Sequence, residues 1–234
     1  MKYNQIVFLA TILLFPGCFN MFTSAKLYTI KAFKSHEDKI NIAPFLSEIE
    51  INTFKNYPYI FDSTVEENND YVHAVLQTKD SVFITAFYNN EPVGIITGAS
   101  FVDYEPIIPG SNQAFIDAGH NPADFFYCSE VLIVKEHRNK GLMTQLMNAL
   151  EQYAVDNGYT KMCLSTIVTH IDDAFRPENY REIDSAFLKV GFTKTNMTAP
   201  FTWKSFQHNG PSADQEHIMR YWIKDIKYIG RNNE

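Results

Sequence analysis

Cysteine is scarce: Cys18, Cys128 and Cys163 are the three in 234 residues. An odd count cannot form a fully paired disulfide framework, and the lack of any CxxC spacing removes the common zinc sites. Cys128 and Cys163 fall in apolar, strand-like runs, where a thiol behaves as a small buried hydrophobe. Positive charge is also short. The 20 Lys and Arg stand against 27 Asp and Glu, a formal charge of -7, opposite in sign to the field that a general nucleic-acid binder needs. A cationic partner suits this chain better. Long apolar runs are missing too: IVFLATILLF (6–15) is too short to span a bilayer as an ordinary helix. No repeat is visible, and neither the GxxxxGK[ST] nor the GxGxxG phosphate-binding pattern occurs.

What is present is apolar and aromatic, 45% and 15% of the residues, enough for a substantial core in one domain. The fold is expected over residues 26–234. Residues 1–25 read as a secretory signal or a lipoprotein leader, because Lys2 precedes the apolar run, FPGC ends at Cys18 and TSA offers small residues for cleavage. A start assigned too early, with Met21 as the true beginning, fits the same residues. A membrane link is expected only through such an anchor.

Beyond residue 26 the pattern alternates. LYTIKAF (27–33) has the period of a strand, and Ser35 with Asp38 caps a helix running through IAPFLSEIEINTFK. Pro58 in NYPYIFD breaks that helix, and Ser63 with Glu66 forms a second capping box before EENNDYVHAVLQT. SVFITAFY (81–88) and PVGIITGASFV (92–102) read as strands joined by a tight NNE connection. Residues 103–124 show no periodicity and are expected to form a long loop, a lid on the substrate side. FFYCSEVLIV (125–134) is apolar on both faces, as a central strand would be. Leu142, Leu146, Ala149, Leu150 and Tyr153 recur at helical spacing up to the Asn157-Gly158 stop. TKMCLSTIV (160–168) is the next strand, NYREIDSAFLKV a helix, and the strands 201–206 and 217–226 close the chain.

KEHRNKGLMTQL (135–146) links the central strand to the following helix. The start of a helix points unpaired N–H groups and the positive end of its dipole at whatever lies there, which suits a pyrophosphate. Arg138 and Lys140 add charge, and Gly141 allows close backbone approach. A plain strand-to-helix connection uses the same residue types.

The run EVLIVKEHRNKGLMTQLMNALEQYAVDNGYTKMCLSTI, followed by AFLKVGF, resembles the cofactor-binding core of the GNAT superfamily of N-acetyltransferases. Arg138, Gly141 and Gly191-Phe192 match its pattern, over about residues 80–206, and NYPYIFD and RPENYREID resemble segments of a bacterial subgroup. The resemblance implies an α/β fold, a mixed and mostly antiparallel central sheet flanked by helices and splayed near Val134 at the acyl-CoA site. It implies transfer of an acetyl group from acetyl-CoA, without a metal, directly to an amine on a small molecule or a protein, and the acidic chain favours a cationic one. Backbone groups of Leu132, Ile133 and Val134 would pair with the pantetheine arm. The turn Arg138, Asn139, Lys140, Gly141, Leu142, Met143 and Thr144 would hold the pyrophosphate. Two positions depart from the pattern. Met143 stands where the family has Gly or Ala, and Phe187 where it has the tyrosine that protonates the leaving thiolate, so a non-catalytic acyl-CoA-binding or protein-interaction module is the competing reading.

Glu130 is the expected base, a carboxylate held among FFYCS and VLIV with its pKa raised by desolvation. Tyr127 and Ser129 would relay a proton, but in a regular strand they face away from Glu130, and only a β-bulge would bring them together. Tyr180, seven residues before Phe187 on the expected helix, is the nearest aromatic hydroxyl for the thiolate. His170 is the other acid or base. Asp103, Glu105, Asp172 and Asp173 form an acidic group able to attract an amine. Acetyl-CoA use places the chain in the cytoplasm, whereas residues 1–25 point to export. The acceptor and the oligomeric state are not written in the sequence.

Overall fold

The computed structural model describes residues 27–170 and 173–227; residues 1–25, where a leader or an early start is expected, with Cys18 and Met21, and Asp172 lie outside them. Seven strands form one sheet: β1 (Thr29–Phe33), β2 (Val82–Tyr88), β3 (Glu91–Ser100), β4 (Phe125–Ile133), β5 (Lys161–Ile167), β6 (Thr193–Ser205) and β7 (Ala213–Asp225). Their spatial order is β1-β2-β3-β4-β5-β7-β6. Every pairing is antiparallel except β4 with β5. The helices α1 (His36–Phe54), α2 (Val65–Gln77) and α3 (Ser111–Asp117) cover one face, and α4 (Leu142–Asp156) and α5 (Asp184–Lys189) cover the other.

Local chemistry sets the ends of these elements. The Ser35 hydroxyl accepts from the Asp38 N–H and starts α1. The second capping box lies one residue later than expected: Thr64 accepts from the Glu67 N–H while the Glu67 carboxylate accepts from the Thr64 N–H. Ser63 and Thr64 each precede a glutamate by three residues, so the pattern alone does not separate them. At the β2–β3 turn, Asn89 and Asn90 take φ of 51° and 68°, the left-handed pair that a tight hairpin demands and asparagine tolerates.

Residues 103–124 are not the structureless lid expected of them. Tyr104 and Phe115 are buried, and Phe115 packs its ring against Phe101, Phe125 and Tyr221. The Glu105 carboxylate accepts from the N–H groups of Gly110 and Asn112 and from the Ser111 hydroxyl, fixing the start of α3. One buried aromatic in a seven-residue helix leaves no readable period. The expected helix over NYREIDSAFLKV is likewise shorter, since α5 begins at Asp184. The last two strands run to 13 residues each.

The sheet opens in the middle. β4 and β5 pair only through Phe125–Tyr127 and Lys161–Cys163, whereas β5 stays paired with β7 along its whole length. From Cys128 and Leu164 onward the two strands no longer pair, so the opening starts six residues before Val134, where it was expected.

Candidate active site

Two cavities flank this opening. The outer one, about 300 Å³, is walled by Leu132, Arg138, Leu164, Tyr180 and Phe187, among others. The inner one, about 240 Å³, lies under α1, α2 and the segment before α3. Phe54, Tyr59, Ser129, Glu130 and Ser165 border both, so the two cavities meet at Glu130.

A bulge puts Glu130 there. In the β3–β4 register Gly98 opposes Cys128 and Thr97 opposes Glu130, which leaves Ser129 as an extra residue. The Ser129 and Thr97 hydroxyls hydrogen-bond at 2.7 Å. An extra residue reverses the alternation. Phe125 and Tyr127 before the bulge, and Leu132 after it, belong to the core under α1–α3, while Phe126 and Cys128, then Val131 and Ile133, face α4. Glu130 therefore joins the face that Tyr127 occupies.

Glu130 is 7% exposed. Tyr71 of α2 donates its hydroxyl to Oε1 at 2.6 Å and lies 2.9 Å from the Tyr104 hydroxyl, which then donates to Tyr71. Among the described residues no hydroxyl or N–H reaches the buried Oε2, and the carboxyl of Glu50 lies within hydrogen-bonding reach of Glu130. Burial pushes the Glu130 carboxyl up to about 6. Glu50 of α1, also buried, accepts from Asn68 at 2.8 Å, and burial together with the nearby Glu130 charge raises its pKa well above the usual carboxylate range. Held in one buried site, the two carboxyls resist ionising together, and the Glu130 charge adds to the upward push on Glu50. Tyr127 spends its hydroxyl on Ser165 at 2.8 Å and Ser129 on Thr97; the hydroxyl that reaches Glu130 belongs to Tyr71.

Sequence reading missed Glu50, Tyr71 and Tyr104. Glu50 did carry a signal, because it continues the buried stripe of Leu46 and Ile49 along α1, and a carboxylate on an apolar stripe calls for a reason.

Along β4 the Val134 N–H donates to the Val93 carbonyl, so that donor is committed to β3. Alternation then turns the backbone groups of Val131 and Ile133 toward the gap. The Arg138 side chain reaches back there, its Nε donating to the Ile133 carbonyl at 2.8 Å. Asn139 and Gly141 have φ of 60° and 75°. A Cβ on Gly141 would meet no atom within 4 Å, so glycine serves the left-handed backbone at that position rather than a tight approach between chain segments. Among the described residues no side chain caps α4, whose first hydrogen bond runs from the Gln145 N–H to the Gly141 carbonyl. The N–H groups of Leu142, Met143 and Thr144 precede it and have no partner within the helix. Leu142 is buried, Lys140 and Thr144 are exposed, and the Met143 side chain packs against the core beneath α4 instead of filling the turn. An open strand edge leading to an uncapped helix start beside Arg138 fits a linear, amide-bearing ligand with an anionic end.

Tyr180 is not on α5 but in the preceding turn, its ring 4.7 Å from that of Tyr57 and 4.9 Å from the Arg176 guanidinium. Burial raises its hydroxyl to about 12. Phe187 is buried against Phe192 and Trp222 and carries no proton to give. His170 borders a separate cavity with His208 and His217. The acidic group is dispersed: Asp103 accepts from Ser100, Glu105 caps α3, and Asp173 accepts from the Phe175 N–H. None of these three borders the inner or outer cavity. Among the described residues, no three His, Cys, Asp or Glu side chains are grouped to hold a metal ion, and no helix is long and apolar enough to cross a membrane.

The fold is similar to that of an N-acetyltransferase from Staphylococcus aureus Mu50, with 16% identity, TM-score 0.52, and 86% of this chain and 99% of that chain covered. It is similar to a ribosomal-protein-alanine N-acetyltransferase from Brucella melitensis at 12% identity and TM-score 0.52, covering 84% and 99% of the two chains. A candidate acetyltransferase from Salmonella typhimurium, solved with its cofactor acetyl-CoA, matches at 12% identity and TM-score 0.52, covering 85% and 95%. No curated protein sequence matches this chain. The family model described as acetyltransferase (GNAT) matches residues 46–174, more than half of the 234 residues, and the chain therefore belongs to the GNAT acetyltransferase family.

Proposed function

We propose that the chain transfers the acetyl group of acetyl-CoA to a primary amine, with Glu130 as the base. The observation that carries this reading is a buried carboxylate, Glu130, at the meeting point of two cavities, with no ion pair to it among the described residues. Acetyl-CoA supplies the activated acyl group. The gap-side backbone of Val131 and Ile133 and the side chain of Leu132 would line its pantetheine arm, and Arg138 through Thr144 would meet its pyrophosphate. The acceptor amine enters the inner cavity, where its ammonium pairs with Glu130 and loses a first proton to solvent; the free amine then attacks the thioester carbonyl, Glu130 takes the second proton from nitrogen, and the C–S bond breaks as the adduct collapses. Tyr71 and Tyr104 hold the carboxylate in place. Phe187 leaves the thiolate to Tyr180, which borders the outer cavity and keeps its proton at neutral pH. The cytoplasm, where acetyl-CoA is made, is the compartment this chemistry calls for.

Phe187 and Met143 also suit a module that binds acyl-CoA without turnover. Calorimetric titration with acetyl-CoA, paired with a thiol-release assay over a panel of amines, separates the two. Glu130→Gln should keep acetyl-CoA affinity and lose turnover by about 10²- to 10⁴-fold, and Arg138→Glu should weaken affinity at least tenfold. Tyr180→Phe should slow thiolate release without changing affinity. Binding without turnover by the unaltered protein would establish the module instead, and unchanged turnover in Glu130→Gln would remove that residue from the mechanism.

A further inference from the structure

The inner cavity is narrow in its chemistry. Besides phenols, its ionisable groups among the described residues are Glu50, Glu67 and Glu130, and no lysine, arginine or histidine among them borders it. Glu67 is exposed at the rim and accepts from the Thr64 N–H, and Glu50 is engaged by the Asn68 amide, which leaves Glu130, shared with the outer cavity, as the deep carboxylate open to a ligand. The walls are rings: Phe54, Tyr59, Tyr71, Phe201 and Trp203 contribute, with Ile107 and Ile108 closing one side. These rings are fixed before any ligand arrives. Trp203 donates its indole N–H to the Tyr59 carbonyl at 3.0 Å and stacks on His217, and Phe54 lies 4.5 Å from Tyr59 between centroids.

From this we infer that the acceptor is a compact monoamine with a flat apolar body and no carboxylate. The inference rests on the proposed acetyl transfer and specifies its substrate. A single ammonium satisfies Glu130, and the surrounding ring faces favour the same cation. A planar apolar group is buried against rings that need not move to receive it. At about 240 Å³ the space lies just below the usual range of ligand pockets, roughly 300–1,000 Å³, which selects small bodies. Competing amines leave something unmatched. An amino acid brings a second carboxylate next to Glu130, with no basic side chain on the wall to receive it. A polyamine places a further ammonium among rings, and an aminoglycoside brings several ammoniums to one open carboxylate and more bulk than about 240 Å³ holds.

The test uses 2-phenylethylamine, phenylalanine, spermidine and kanamycin as acceptors in an acetyl-CoA thiol-release assay, with thermal shift of the same protein by each amine in the absence of acetyl-CoA. Phenylethylamine and phenylalanine differ by one carboxylate alone. The expected result is a kcat/KM for phenylethylamine at least tenfold above each of the others, and a thermal shift in the same order. Preferred use of phenylalanine, spermidine or kanamycin overturns the acceptor class while acetyl transfer stands. Stabilisation by phenylethylamine with no acetylation of any amine upholds the cavity's selectivity and overturns the transfer. Neither turnover nor stabilisation overturns both.

Discussion

Glu130 is a residue whose environment sets stability against chemistry. Burial raises its carboxyl from the ordinary 4.5 to about 6, so between those pH values the folded protein binds more protons than the unfolded chain. Stability then falls as pH rises through that window, by about 2 kcal/mol once both states are ionised. Glu130→Gln removes the titration and keeps an oxygen able to accept from Tyr71. Its Tm should equal or exceed that of the unaltered protein at pH 7.5, with the difference shifting against the variant at pH 4.5, as read by calorimetry at the two pH values. A Tm lowered by the same amount at both would mark the carboxylate as a structural partner of Tyr71 rather than a base. Turnover follows the same ionisation. kcat/KM of the unaltered protein should rise through about pH 6 as Glu130 loses its proton, and a profile flat from pH 5 to 8 would assign the proton elsewhere.

The bulge in β4 is the element on which the site depends, and Gly98 is its counterpart on β3. A Cβ at Gly98 would lie 2.5 Å from Phe126 Cε1 and 2.8 Å from the Tyr127 carbonyl, and the carbonyl cannot swing away as a side chain could. Gly98→Ala should cost ~1–3 kcal/mol by overpacking, a Tm fall of roughly 2–12 °C for a chain of this size, with turnover lost beyond that in proportion as Glu130 shifts. An unchanged Tm would mean that β3 and β4 re-register freely. The sequence exposed much at this scale and concealed the bulge. Strong periods and caps gave α1, α4 and the central strands, and alternation stated the condition under which Tyr127 and Glu130 could share a face. Whether that condition holds depends on Gly98 meeting Phe126 across two strands, a contact no local pattern carries. The segment that contains α3 escaped for a related reason, since Phe115 is held by rings from β4 and β7 rather than by its own helix. Glu50, Tyr71 and Tyr104 reach Glu130 across sequence separations of 26 residues or more, so their grouping waits for the fold.

At the scale of the whole molecule the sheet is two units, β1–β4 and β5–β7–β6, joined by a three-residue parallel pairing. Beyond it each half leaves backbone groups on the gap that the other half does not satisfy. A ligand that lies along β4 and reaches the start of α4 contacts groups whose arrangement exists only in the folded chain, so its binding adds to stability by mass action. At a concentration 100 times Kd the gain is about 2.7 kcal/mol, which corresponds to a Tm rise of roughly 5–11 °C for a chain of this size. Saturating acetyl-CoA should therefore raise the Tm by that amount. Free acetate, which lacks the arm and the pyrophosphate, should leave it unchanged at equal concentration. CoA without the acetyl group should retain most of the rise, because the arm and the pyrophosphate carry the contacts, and Arg138→Glu should lose most of it with either compound. A rise that survives Arg138→Glu would move the anionic end away from the turn before α4, and no rise with acetyl-CoA at millimolar concentration would show that the gap closes without it.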